Sequence, residues 1–168
     1  MLKLIADDSP RAPYSQLAGE LGMSPSEVHA SVKRLQRSGL LHGTELGNRA
    51  NHSAVEEFLI HGLKYVFPAE RGGLTRGVAT SYGAFPLCEL VGAGSDPIPV
   101  WPWPEGEQRG LSLSPLYKSA PLASLRDRSF YELLTLADAL RDGRARERKL
   151  AATEMQRRLR GKLAQSKP

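Results

Sequence analysis

The sequence predicts an α+β fold with short helices at the N-terminus, a strand-rich middle and further helices at the C-terminus. Three observations carry that expectation. Apolar residues recur at helical spacing around residues 17–35, 55–66 and 130–163. The stretch 68–121 is dense in Pro and Gly, and its β-prone pieces run from Gly77 to Tyr82, Ile98 to Trp103 and Gly110 to Tyr117. A Ser-x-x-Glu box stands at Ser24/Glu27, Ser53/Glu56 and Ser129/Glu132. In such a box the serine oxygen accepts from a first-turn N–H while the glutamate reaches back to the serine's own N–H, so each one marks a helix start.

Length and charge bound the possibilities. With 168 residues the chain can build a hydrophobic core without disulfides, and its single cysteine, Cys88, cannot form an internal bridge. A reducing, cytoplasmic setting is expected. No run approaches the roughly 18 apolar residues of a membrane span, so no membrane partner is expected, and the first ten residues turn acidic too soon for a secretory signal. The net charge of +5 is unevenly spread. Residues 1–50 carry +1, residues 51–140 carry −3, and residues 141–168 carry +7. That basic tail suits either an anionic partner or a solvated helix face.

At the N-terminus, Leu2 to Ala6 precede a break at Asp7–Pro10, so a first helix is either short or begins upstream. Pro13 then fits a first helical position, Leu17, Ala18 and Leu21 form a stripe, and Gly22 fits the left-handed residue that ends a helix. Three residues later Ser24 caps the next helix, Pro25 sits at its first position and Glu27 closes the box. Val28, Val32 and Leu35 make its buried seam. Ser26, His29, Ala30, Lys33, Arg34 and Arg37 fall on the outer and flanking surface. Small residues near the start allow close approach to base edges, His29 and Lys33 can hydrogen-bond them, and Arg34 and Arg37 can meet phosphates.

At these residues the sequence resembles the winged-helix regulators of the MarR and Lrp type. Ala18, Gly22, Ser24, Val28 and Leu35 match the helix-turn-helix framework, and Leu40 and Leu41 lead toward a wing. The resemblance covers residues 1–44 and implies double-stranded DNA as a partner, with Ser24, Ser26, His29, Ala30, Lys33, Arg34 and Arg37 in contact. Turn chemistry at Gly43, Gly47 and Asn48 runs quickly into Ser53. The wing is thus either very short, with Arg49 as its one strong phosphate contact, or absent.

After Ser53, the residues Val55, Phe58, Leu59, Gly62, Leu63 and Val66 predict one broad buried helical face, with His61 beside it as a structural residue. Arg71 and Arg76 flank paired glycines, but no Gly-Lys-Ser/Thr follows, so turns are expected rather than a phosphate loop. Trp101 and Trp103 alternate between prolines, which predicts an edge strand. Phe130, Leu133, Leu134, Ala137 and Leu140 form a strong stripe. A narrower one through Ala152, Met155, Leu159 and Leu163 suits packing on one helix, of the same chain or of a symmetry mate.

The expected organisation is a winged-helix-like helix-turn-helix domain at 1–52 and an α+β domain at 53–168. The second has a strand-rich middle at 77–117 and C-terminal helices at 129–163, and it serves dimerisation or partner binding. No catalytic, cofactor or metal constellation stands out, so the chain reads as no enzyme. The function expected is that of a sequence-specific DNA-binding regulator, a dimeric repressor. The alternative is an antitoxin-like protein whose residues 68–121 bind a protein encoded nearby and which regulates its own operon.

Overall fold

The computed structural model describes residues 1–7, 12–44, 47–92 and 96–165, with side chains as far as Gly161. The break at Asp8–Pro10 and the side chain of Leu163 lie outside the described residues. The fold is α+β. Three helices open the chain: α1 (Leu2–Asp7), α2 (Tyr14–Leu21) and α3 (Pro25–Arg37). A two-stranded hairpin follows, β1 (Leu41–Thr44) against β2 (Gly47–Ala50), with Leu41 opposite Ala50 and His42 opposite Arg49. The wing is therefore present, and short.

The next helix starts as α4 (His52–Glu57), widens into a π-helical turn (Phe58–Gly62) and finishes as α5 (Leu63–Val66). Three strands then close on one another: β3 (Arg71–Ala79), β4 (Pro99–Pro102) and β5 (Gln108–Leu113). Between β3 and β4 lies the short α6 (Leu87–Val91). The chain ends in α7 (Ala120–Ser124), α8 (Arg128–Asp142) and α9 (Ala145–Gln165).

The barrel of three strands is narrow, and glycine makes it possible. A Cβ on Gly77 would collide with the Trp101 carbonyl oxygen, and one on Gly110 with the Ile98 carbonyl oxygen. β4 pairs antiparallel with β3 and parallel with β5, so it is not the edge strand its prolines suggested. Its prolines lie at the two ends of a four-residue strand, where missing N–H groups cost the ladder least.

Two cores are distinct. A small one gathers Leu17, Ala18, Val28, Val32 and Leu41 under the reading head. The larger contains Val55, Leu59, Leu63, Trp101, Leu133, Leu134, Met155 and Leu159, together with Leu2, Ile5 and Ala6 of α1. Of the expected stripe on α9, Met155 is fully buried, Leu159 nearly so and Ala152 half-buried, with Ala151 beside it fully buried. The expected seam for a symmetry mate is thus filled by the chain's own helices, chiefly α8, and charge at Met155 would enter a core. Val66 also departs from the expectation, lying 59% exposed beyond the end of the buried face. His61 is exposed as well, which removes it from the core.

Only the first Ser-x-x-Glu box caps its helix. Asn51, not Ser53, caps α4, accepting from the Ala54 N–H at 3.3 Å while its amide donates to the Gly39 carbonyl at 3.1 Å. Asp127, not Ser129, caps α8, accepting from the Phe130 N–H at 3.0 Å. In both cases the Asx residue two positions upstream has a second, tertiary partner that the serine lacks. Glu132 is thereby free to hold Arg158 at 3.0 Å.

At the centre of the larger core lies a buried ion pair. Asp138 on α8 accepts from Thr80 Oγ1 at 2.8 Å and Trp101 Nε1 at 2.6 Å, and it pairs with Arg141 at 2.9 Å. Arg141 in turn donates to the carbonyls of Phe67 (3.3 Å) and Ser114 (2.6 Å). Burial pushes the Asp138 carboxyl up to about 6, against the pull of Arg141, Thr80 and Trp101. Removing one partner leaves the other charge buried alone. Asp138→Ala should therefore cost about 3–5 kcal/mol in urea unfolding, and Asp138→Leu combined with Arg141→Met should lose less than Asp138→Ala alone. A double variant that loses as much as the two single losses added together would contradict this account.

Candidate nucleic-acid interface

The turn between α2 and α3 sets the interface. Gly22 adopts φ 61° at the end of α2, a conformation that costs a non-glycine residue energy, and it reverses the chain in minimal length. Ser24 then accepts from the Glu27 N–H at 3.2 Å while Glu27 accepts from the Ser24 N–H at 2.8 Å, and Pro25 occupies the first turn. Val28 and Val32 are buried against Leu17 and Ala18, which fixes the rotation of α3 about its axis.

That rotation leaves Ser24, Ser26, His29, Ala30, Lys33, Arg34 and Arg37 all exposed. The His29 ring lies 5.5 Å from the Tyr14 ring, centroid to centroid, so α2 limits its swing. Arg34 donates to Ser31 Oγ at 2.9 Å. Among the described residues Lys33 and Arg37 have no ion-pair partner on the protein. On the wing Arg49 is exposed opposite His42. Gln36 ties the wing to α3 by donating to Asn48 Oδ1 at 2.7 Å, so hairpin and helix move together.

Sequence reasoning missed the residues that hold this head on the body. Tyr117 donates its hydroxyl to Glu27 Oε1 at 2.8 Å, and Ser119 Oγ donates to the Leu21 carbonyl. On the other side Lys3 meets Asp7 at 2.8 Å, Glu20 at 3.1 Å and Asp127 at 2.7 Å. Burial alone would lower the Lys3 pKa, but its three carboxylate partners raise it above the ordinary lysine range. Lys3, Glu20 and Asp127 join α1, α2 and the cap of α8. Their separation in sequence hides these pairs; only the isolated lysine on the apolar stripe of α1 hints at one.

Part of the basic tail is paired within the chain. Arg158 pairs with Glu132 and Glu154, Arg157 with Glu154 at 2.9 Å, and Arg144 with Asp96 at 3.5 Å. Arg71 on β3 holds Asp142 at 2.8 Å. Among the described residues the outer face of α3 and the wing keep Lys33, Arg34, Arg37 and Arg49 without a carboxylate partner, and the first turns of α9 keep Arg146, Arg148 and Lys149 so.

Residues 1–36 match the AsnC-type helix-turn-helix domain. Over 46 residues the chain is 33% identical to the regulatory protein AsnC of Haemophilus influenzae, a stretch covering 27% of this chain and 30% of that protein. The chain thus spans less than a third of the curated relative it matches. No solved structure matches it. The N-terminal unit is an AsnC-type helix-turn-helix, in agreement with the resemblance read from Ala18, Gly22, Ser24, Val28 and Leu35.

The capping box has a pH signature. Its backbone and side-chain hydrogen bonds to Ser24, with that from Tyr117, lower the Glu27 carboxyl to about 2. A depressed folded pKa contributes stability that is present above the ordinary value of about 4.5 and is lost as pH falls toward about 2. NMR titration of the Glu27 carboxyl should give a midpoint far below that of a free glutamate, and Tyr117→Phe should raise it part of the way back. A Glu27 midpoint near 4.5 in the wild type would refute the geometry.

Proposed function

We propose that the chain is a sequence-specific DNA-binding transcriptional regulator. In this reading residues 1–52 are the reading unit and residues 53–168 the body that carries it. The observation that bears the reading is the outer face of α3: small residues at its start and Lys33, Arg34 and Arg37 beyond them, exposed behind a capping box on an AsnC-type turn. Ser24, Ser26, Ala30, His29 and Lys33 would approach base edges in the major groove, while Arg34, Arg37 and, from the wing, Arg49 would meet phosphates.

The regulator acts as a dimeric repressor from the cytoplasm. One reading helix addresses one half-site, and two of them about one helical turn apart double the contacts. With the α9 stripe used inside the chain, pairing would draw on exposed apolar residues such as Tyr65 and Val66, exposed by 75% and 59% at the end of α5. A second reading, the antitoxin-like one, draws on a different surface. Leu74 is 58% exposed on β3, and two places along that strand Arg76 faces Arg109 of β5 directly across the sheet. Like charges so placed repel, and an acidic segment of a partner protein would relieve them. Co-purification of the neighbouring gene product on the wild-type chain, lost in Arg76→Glu, would favour that reading.

The test of the first reading separates base contacts from phosphate contacts. Lys33→Ala should cost about 1–3 kcal/mol on the selected site and relax its sequence preference, whereas Arg37→Ala should weaken all sequences alike. The log–log salt slope should fall by about 0.9 for Arg37→Ala, and it should barely move when Arg157, Arg158 and Arg160 are replaced together by Gln. Binding isotherms at four salt concentrations give all these quantities and, at saturation, the two chains expected per site. An unchanged footprint and affinity for Lys33→Ala would overturn the assignment.

A further inference from the structure

Between the reading head and the body lies an open cleft of about 530 Å³ that shares Arg34 with the DNA-reading face. One wall is the inner side of α3 with Val32 and Leu35, continued by Leu40 before β1; the other is the body, with Leu63, Leu116 and Leu134. The lining is almost wholly apolar, and the volume is that of a small-molecule pocket, for which roughly 300–1,000 Å³ is usual. A cleft of this kind ordinarily closes on itself, because each wall would gain by touching the other. Here the struts on either side hold it apart: Lys3 with Glu20 and Asp127, and Tyr117 with Glu27.

The rim says what the occupant carries. Of the two cations at the rim, Lys3 is committed to three carboxylates. Arg34 is not: its guanidinium meets Ser31 Oγ, and among the described residues no carboxylate pairs with it. Ser31 stands beside it on the same rim and offers a hydroxyl donor, whereas the Ser38 hydroxyl donates to the Leu35 carbonyl at 3.1 Å. An apolar trough ending at a guanidinium without an acid partner fits a hydrocarbon with an anionic head.

We propose that this cleft binds a medium-chain carboxylate, whose hydrocarbon lies along Leu35, Leu40, Leu63 and Leu116 and whose carboxylate pairs with Arg34. Occupied, the site takes Arg34 away from the phosphate that the function proposed above gives it, so the ligand and DNA compete. That second step rests on the regulator reading, whereas binding of the carboxylate does not.

The two are tested apart. Calorimetry on the full chain without DNA uses octanoate, decanoate, dodecanoate and decanol. Affinity should rise about fourfold per methylene until the cleft is full. Decanoate should bind about tenfold more tightly than decanol, as expected of a charge-assisted hydrogen bond, and Arg34→Gln should abolish that preference while leaving decanol binding unchanged. Methyl NMR should place the shifts at Leu35, Leu40 and Leu116, and Leu116→Trp, at a half-buried position, should fill the trough and weaken every ligand. Absence of binding at all chain lengths, equal affinity for decanoate and decanol, or shifts confined to other leucines would overturn the site. So would a second copy occupying the cleft, seen as a sedimenting dimer that Leu116→Trp dissociates. In gel shifts, decanoate should release DNA from the wild type. Tight decanoate binding with DNA affinity unchanged would overturn the competition, while a chain that binds no DNA even without decanoate would instead count against the regulator reading.

Discussion

The body of this protein is organised by one buried ion pair, Asp138 with Arg141. A carboxylate and a guanidinium taken out of water cost several kcal/mol each, and only dense hydrogen bonding makes the burial tolerable. The structure supplies it from four directions. Thr80 and Trp101 reach Asp138 from the end of β3 and from β4, while Arg141 holds the carbonyls at the end of α5 and just beyond β5. Each strand of the narrow barrel is thereby referred to one turn of α8. Apolar packing would tolerate several registers of so small a sheet; a charge pair with directional partners tolerates few.

From α8 the order passes to the reading head. The N-cap of α8 is Asp127, and the same carboxylate that accepts from Phe130 also holds Lys3, which holds Glu20 on α2. Across the cleft, the segment before α7 presents Tyr117 to Glu27 and Ser119 to Leu21. The head is therefore fixed by the apolar packing of α1, with Leu2, Ile5 and Ala6 in the body's core, and by polar contacts at its two margins. The polar contacts set the orientation of α2 and α3 closely while burying little area, which leaves the space beside them open.

What was legible in the sequence was what depends on neighbours in the chain. Gly22, Ser24, Pro25 and Glu27 announce a turn and a cap through interactions within six residues, and the structure has them as read. Of the β-prone pieces, 98–103 contains β4, whereas β3 starts at Arg71, through Gly72 and Gly73 where turns were expected, and β5 stops at Leu113, short of Tyr117, because pairing with the other strands sets those limits. What was hidden depends on partners far away. Ser53 and Ser129 satisfy the box pattern as well as Ser24 does, yet Asn51 and Asp127 displace them because each has a tertiary partner in Gly39 and Lys3. Periodicity understated α8 too. Its stripe predicts one buried face, but Thr135, Leu136, Asp138, Ala139 and Arg141 are buried as well, since barrel, α9 and α1 surround it. A helix enclosed on several sides by mixed partners leaves no clean period to find.

The interface itself divides along the same line. Ser26, His29, Lys33 and Arg37 were placed by helical geometry from a cap and a seam, and the structure leaves all four exposed on α3. Which cations remain available was not a local question. The tail carries most of the chain's excess charge, so composition alone would assign it the anionic partner. Folded, Arg157 and Arg158 meet Glu154 and Glu132, acids three to twenty-six residues away, and that part of the charge is spent holding α9 to itself and to α8. The short N-terminal unit, with a net charge of only +1, keeps Lys33, Arg34 and Arg37 on one face while its described acids are occupied elsewhere: Glu27 in the cap, Asp7 and Glu20 around Lys3. Segregation of charge, rather than its amount, makes that face cationic.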